Sequence, residues 1–442
     1  MRKFRILRVS HLAYPQALTA LLYKYPDIQK KPYLEQSELL FNEKLVYSNS
    51  FSRAMRQLGH IADEVVYDID WLQQTWAKEH SVSYSQSTRE QEILLAQIEV
   101  MRPEILYFQH STPLPYEILK DLKNRYSFIK KILVHRAFPG DFYTLGSVDL
   151  LMVGTRHLVT QYANHDIQAR LLYHYFDEAV LDVVRPFQAI YPVTFLGSSG
   201  YGNGTAHATR YWLLKELLEH IPIEMWLDER LHLETGERSS SQVNVLQQSK
   251  RLVATSILKF LPWLPSPVLD TIANSKLIPV KFRNLVSAYL SQDKLPVQLR
   301  PKLGIHLKEP QDRLLDLFPK SCHSPVFGLD YYQVLSRSQI SFNCHTDAAL
   351  ENVGNIRMFQ ATGMGSCLLT DTGNNMSDLF EVDREVVTYS SREEALEKIN
   401  FLLNNKATCQ DIARGGHERT MRDHTALKRC QQIDEWLQDM VV

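Results

Sequence analysis

Six short apolar runs, Phe4–Val9, Glu64–Tyr67, Ile105–Phe108, Lys131–Val134, Leu150–Val153 and Arg170–Phe176, recur through the first part of the chain with helical stretches between them. The intervening helices show at Phe51, Ala54, Met55 and Leu58 before Gly59, at Glu92–Met101, at Tyr116–Arg125 and at Leu158–Ala163. Strands separated by helices run in the same direction, so the spacing predicts an α/β fold with a parallel sheet covered on both faces. Ligands of such sheets bind beyond the strand ends, which puts His11, Gln109, His110, Arg136 and His174 forward as functional groups. His110 follows an apolar strand and precedes Ser111-Thr112-Pro113. It can donate to a substrate hydroxyl or exchange a proton near neutral pH, and is the candidate catalytic residue. A loop histidine capping the next helix is the plainer alternative.

The rhythm restarts after Pro186 at Tyr191–Leu196, which runs into Gly197-Ser198-Ser199-Gly200-Tyr201-Gly202-Asn203-Gly204 and a helix with Leu213, Leu214, Leu217 and Leu218 on one face. A glycine-rich turn from strand to helix lets backbone N–H groups face an anion, with Arg210 one turn in as a phosphate partner. The loop matches neither of the strict phosphate-binding patterns, so a plain flexible loop is the competing reading. Glu224–Leu227 is the next strand. From about 230 to 300 the rhythm stops: Val253–Leu264 and Val268–Leu290 are apolar, basic and punctuated by Pro262, Pro265, Pro267 and Pro279. An inserted helical subdomain is expected there, a membrane-surface helix being the alternative.

The last third carries strand Ile340–His345, a polar loop, a helix from Asn355, the break Gly363-Met364-Gly365 and strand Cys367–Thr370. Hydrogen-bonding side chains Asn343, His345, Asn352, Asn355, Arg357 and Gln360 crowd beside the buryable Ile356, Phe359 and Met364, a lining suited to a polyhydroxylated ligand. Ser391-Arg-Glu-Glu394 has the form of a helix capping box, and Ile412–Leu437 is helical.

At 442 residues the chain exceeds one hydrophobic core. Two domains are expected, at 1–185 and 186–425, with 426–442 as a last helix crossing back to the first. The 49 basic and 50 acidic side chains give no bulk charge for nucleic acid or an anionic membrane. The five cysteines are scattered, odd in number and lack a CxxC pair, which argues against a zinc site and a disulfide framework and for a cytoplasmic setting. No run approaches the ~20 apolar residues of a spanning helix. Asp68-Ile69-Asp70 has the form of a metal-holding DxD motif but reads as a solvated strand end, so no metal site is assigned.

With these residues laid out, the C-terminal part resembles the nucleotide-sugar-binding domain of GT-B-fold glycosyltransferases. It is most similar to the branch related to the spore-maturation glycosyltransferase-like proteins and, more distantly, to the retaining family 4 (group 1) enzymes. The resemblance rests on Gly328-Leu-Asp-Tyr-Tyr332, Ile340-Ser-Phe-Asn343, Asn355 to Thr370, Asp378-Leu-Phe380, Glu385–Tyr389 and Ile412 to Arg429, roughly residues 320–435. It implies two Rossmann-like domains facing across a cleft. It also implies a metal-independent, retaining hexosyltransferase that takes a UDP-, GDP- or dTDP-sugar as substrate, needs no further cofactor, and serves a glycan or protein acceptor in polysaccharide biosynthesis. Peripheral contact with the inner face of a membrane and the oligomeric state stay open. Gly197, Ser198, Ser199, Gly200 and Arg210 would face the diphosphate, Phe327 and Gly328 the base, Gln360 the ribose, and His110 the transferred sugar. Asn343, His345, Asn352, Asn355 and Arg357 would complete the donor side, with Arg357 alternatively in a structural ion pair. The chain departs from the family at Asn352 and Gln360, where family 4 relatives carry a glutamate pair. An amide binds hydroxyls but cannot stabilise positive charge. A non-catalytic nucleotide- or carbohydrate-binding protein of this fold and a nucleotide-sugar epimerase are the rival readings.

Overall fold

The computed structural model describes residues 2–12, 15–45, 48–109, 113–137, 142–185, 188–202, 207–229, 310–346, 349 and 351–441. The expected insertion at about 230–300, and His110 with Ser111 and Thr112, lie outside these residues. Within them, twelve strands form two sheets of six. The first holds β1 (Arg5–Ser10), β2 (Ile61–Val66), β3 (Ile105–Gln109), β4 (Lys131–Arg136), β5 (Leu150–Val153) and β6 (Ala169–Leu171), ordered β2-β1-β3-β4-β5-β6. The second holds β7 (Tyr191–Gly197), β8 (Ile223–Leu227), β9 (Cys322–His323), β10 (Ser338–Asn343), β11 (Cys367–Asp371) and β12 (Val387–Tyr389), ordered β12-β11-β10-β7-β8-β9. All neighbours are parallel.

Alternation along the strands explains the two covered faces. Leu7, Val9, Leu106, Phe108 and Val134 join a core with Leu94, Ile98, Leu119 and Leu122 from one layer of helices. Their neighbours Ile6, Ile105, Tyr107 and Leu133 point the other way, onto Phe51, Ala54 and Met55. Chain order reverses beside β1 and β3 in the first sheet and beside β7 and β10 in the second. A crevice opens beyond strand ends at such points, because the loops leave toward opposite faces.

The stretch before Val46 contains helices Pro15–Lys24 and Tyr33–Asn42, and a further helix spans Asp70–Glu79. Leu21, Tyr33 and Leu40 pack on Leu72 and Trp76 to make a satellite core over the sheet edge. The Asp68 reading is corrected. Its carboxylate accepts from the Leu12 N–H at 2.9 and 3.0 Å, and burial pushes its pKa up, so it ties down the loop after β1 instead of facing solvent.

The last helix, Ala426–Val441, leaves the second unit through a parallel bridge between Phe176 and Thr425. It buries Ala426, Cys430, Ile433 and Leu437 among Phe4, Phe51 and Met55 of the first. Each large apolar side chain so buried contributes about 1.5–3 kcal/mol. Glycine at 363 lets Phe176 approach, since a Cβ there would lie 2.4 Å from the ring. All five cysteines are buried and none is in a disulfide. Among the described residues no helix is long and apolar enough to cross a membrane.

Candidate functional site

The strand ends of both sheets meet at a cleft of about 750 Å³. His11, Arg136, Gly154, His157 and His174 line it from the first unit. Gly197, Ser198, Arg210, Asn355 and Arg357 are among those lining it from the second. Among the described residues, the charged side chains on its wall are the cationic Lys44, Arg136, Arg210 and Arg357 and the anionic Asp228. That imbalance is local, because the chain as a whole is close to neutral.

Two of these cations lie at the reversal point of the second sheet. Arg210, 3% exposed, donates from Nε to the Cys344 carbonyl at 3.1 Å and from Nη1 to the Ser198 carbonyl at 3.3 Å. Arg357 donates to the Leu196 carbonyl at 3.1 Å and lies over the Phe195 ring, 5.3 Å from its centroid. Among the described residues neither guanidinium forms an ion pair, so the structural ion pair considered for Arg357 is absent there. Burial, with Arg357 second, pushes the Arg210 pKa down to about 10. The helices Ala208–His220 and Ile356–Gly363 both start at the cleft, adding their N-terminal partial charges. Gly197 makes this packing feasible: its φ is +142°, and a Cβ would stand 2.3 Å from Arg357 Nη1.

A polar scaffold holds the loop opposite. Backbone N–H groups of Gly354 and Asn355 donate to His345 Nε2 at 3.1 and 3.2 Å, so the proton is on Nδ1, which donates to Asp371 at 2.7 Å. Burial alone would raise the Asp371 pKa, but His345 holds it below the usual carboxylate value. Asn343 is not a lining residue as expected. It is buried below the cleft, donating to Thr370 Oγ1 at 3.0 Å and accepting from Asn355 Nδ2 at 3.0 Å. Asn355 in turn caps the helix through the Met358 N–H.

The two amides at the departure from the family pattern are each paired. Gln360 donates to the Tyr332 hydroxyl at 3.1 Å, and Asn352 Nδ2 reaches across to His157 Nδ1 at 3.2 Å. Burial pushes His157 down, keeping it the neutral acceptor this contact needs. A second link between the units runs from Asp378, which accepts from Arg156 at 2.8 Å and from the Tyr173 hydroxyl at 2.9 Å.

Phe327 and Gly328 line the cleft with Trp226, Leu45 and Tyr331. A Cβ on Gly328, φ +58°, would meet the Glu43 carbonyl at 2.3 Å, so the first unit's backbone closes this end. Ser199 and Gly200 fall outside the lining. The Ser199 hydroxyl donates to Glu229 at 2.6 Å, and Gly200 packs against His207. Gln109 likewise lies under the floor, bonded to His135 at 2.9 Å. His174 reaches the cleft, and burial, then Arg429, pushes it down to about 4. Sequence reasoning missed His157, His207 and Trp226. The first two follow a strand-end turn at a helix start, the one local signal available. Among the described residues no three His, Cys, Asp or Glu side chains cluster as metal ligands.

Residues 305–435 match the family model described as glycosyl transferase-like. No curated protein matches the chain by sequence. Three solved structures are similar over nearly the whole chain. Anabaena HepE, solved in complex with UDP-glucose, shares 11% identity at a TM-score of 0.51, covering 99% of this chain and 100% of its own. Sucrose-phosphate synthase from Thermosynechococcus elongatus shares 7% at 0.51, covering 100% and 99%. A glycosyltransferase from Rickettsia africae shares 9% at 0.50, covering 100% and 99%. Two parallel six-stranded sheets facing across a cleft, in this company, make the fold GT-B, with residues 305–435 glycosyl transferase-like.

Proposed function

We propose that the protein is a glycosyltransferase that moves a sugar from a nucleoside diphosphate donor to a glycan or protein acceptor held against the strand ends of the first sheet. The observation that carries this reading is the pairing of buried Arg210 with half-buried Arg357, two like charges on the cleft wall with no ion-pair partner among the described residues. A diphosphate supplies the missing negative charge. Breaking the sugar–phosphate bond increases that charge, and fixed guanidiniums with two helix N-termini stabilise it without rearranging. The glycosyl transferase-like match and the fold shared with HepE, solved with UDP-glucose, support the same reading and make UDP-glucose the first donor to test.

In this reading the reaction needs no metal or other cofactor, retains the anomeric configuration, and belongs with the spore-maturation-like relatives of family 4. Phe327 and Gly328 take the base and Gln360, beside Tyr332, the ribose. His110, next after β3, serves the transferred sugar, and His11, Arg136 and His174 face the acceptor. Buried cysteines outside any disulfide support a cytoplasmic setting.

Gly197→Ala is expected to displace Arg357 and to force an alanine into a backbone conformation that costs about 1–3 kcal/mol. Donor binding should weaken by about tenfold or more while the circular dichroism spectrum stays that of the folded protein; equal affinity would remove Arg357 from the site. The function itself is tested by nucleotide release from UDP-, GDP- and dTDP-sugars, with and without acceptor. Release from one donor, increased by acceptor, is expected. Tight nucleotide binding with no release from any donor would favour the second reading, a non-catalytic binding protein, for which the Asn352–Gln360 amides speak.

A further inference from the structure

His207 is used by no part of the site so far. It is the N-cap residue of helix Ala208–His220, yet its side chain makes no capping bond. It lines the cleft, and its Nδ1 is buried without a hydrogen-bond partner among the described residues. Its backbone packs against the Gly200 turn, where a Cβ on Gly200 would stand 2.5 Å from the His207 carbonyl oxygen. The charged groups acting on the ring are Arg210 from its own helix and Arg357 from the facing one, and the Gly200 turn packed against it carries no charge. Asp371, the carboxylate that acts on Arg210, is bound to His345.

A protonated imidazole there would be a third cation in a partly dry cluster, since the charges acting on the ring from the described residues are both positive. Burial, followed by Arg210 and Arg357, accordingly pushes His207 down to about 4, leaving it neutral in the empty cleft. An anion bound between the two guanidiniums reverses the sign of the local field. The ring then gains from taking a proton, since both its nitrogens become donors and Nδ1 has no partner among the described residues.

Resting on the nucleoside diphosphate reading, we propose that His207 takes up one proton from solvent when the diphosphate binds and becomes a third cationic hydrogen-bond donor to it beside Arg210 and Arg357. The linkage sign follows: a group whose pKa rises on binding makes binding tighter as pH falls through its bound-state pKa, and has no effect well above it. Donor capture is thereby coupled to a proton that stays beside the phosphate oxygen bearing the leaving charge.

The test is calorimetric titration of UDP, GDP and dTDP into the intact protein near pH 6, in two buffers of different ionisation enthalpy, for wild type, His207→Gln and His207→Ala. The nucleotide's own titration is common to all three, so the difference isolates the histidine. Wild type is expected to take up about half to one proton more than either variant, and both variants should lose the tightening of affinity between about pH 8 and pH 6. Equal proton uptake in wild type and variants that all bind nucleotide would overturn the role of His207 and leave the diphosphate site standing. Failure of every nucleotide to bind wild type would overturn both.

Discussion

Arg210→Ala is expected to weaken binding of the cognate nucleoside diphosphate by about a hundredfold, near 2.7 kcal/mol, the cost of removing a buried charged donor from its anionic partner. The accompanying stability change separates a binding role from a structural one. Arg210 satisfies the Cys344 and Ser198 carbonyls, but it also repels Arg357 across a site in which neither has an ion-pair partner among the described residues. Its removal relieves that repulsion, so the melting temperature of the empty protein should fall by no more than a few degrees, and a functional site that stores such strain is expected to behave so. A large loss of stability with unchanged affinity would make Arg210 a structural residue.

The opposite pattern is expected at Glu64. Arg8 is 0% exposed in the middle of the first sheet, with Nε 2.6 Å from the Glu64 carboxylate, whose other oxygen accepts from the Ser52 N–H at 3.0 Å. Arg8 also donates to the Ser48 carbonyl, which links the pair to the segment that brings Lys44 and Leu45 to the cleft. Glu64→Ala leaves a buried guanidinium without its counter-charge and should cost about 3–5 kcal/mol. For a domain of this size that lowers the melting temperature by roughly 10 °C. Arg8→Met combined with Glu64→Leu should recover much of the loss, because two apolar groups need no partner. A Glu64→Ala protein that melts with wild type would show that Arg8 finds another anion.

Most of the scaffold was readable from the order of residues because both faces of each sheet are covered. Uniformly apolar runs such as Ile105–Phe108 and Leu150–Val153 have few other uses, and β3 and β5 coincide with them. Helices Tyr33–Asn42 and Asp70–Glu79 were not legible, since their buried positions include Gln36, Ser37 and Gln73, which look solvent-facing in a sequence. Gln36 and Gln73 spend their amides on the Lys31 and Val66 carbonyls, a pairing only the folded chain reveals.

The site divides in the same way. Gly197, Arg210 and Arg357 stood out through the glycine turn and the density of polar groups, and the fold brings them together. Asn343 and Ser199 stood out for the same reason yet face inward, to Thr370 and Glu229, because a strand end and a turn each point alternate residues away from the crevice. His157 and His207 carried only the signal of a helix start after a strand-end turn, and their meaning comes largely from partners far along the chain, Asn352 for one and Arg357 for the other.

The central claim, that Arg210 and Arg357 together receive a diphosphate, is tested most directly by phosphorus-31 resonance of UDP, GDP or dTDP titrated with the protein. Both phosphorus signals should shift and broaden with wild type, and stay those of the free nucleotide with the folded Arg210→Ala/Arg357→Ala double variant. Equal perturbation of the signals by wild type and double variant would place the diphosphate elsewhere and contradict the account.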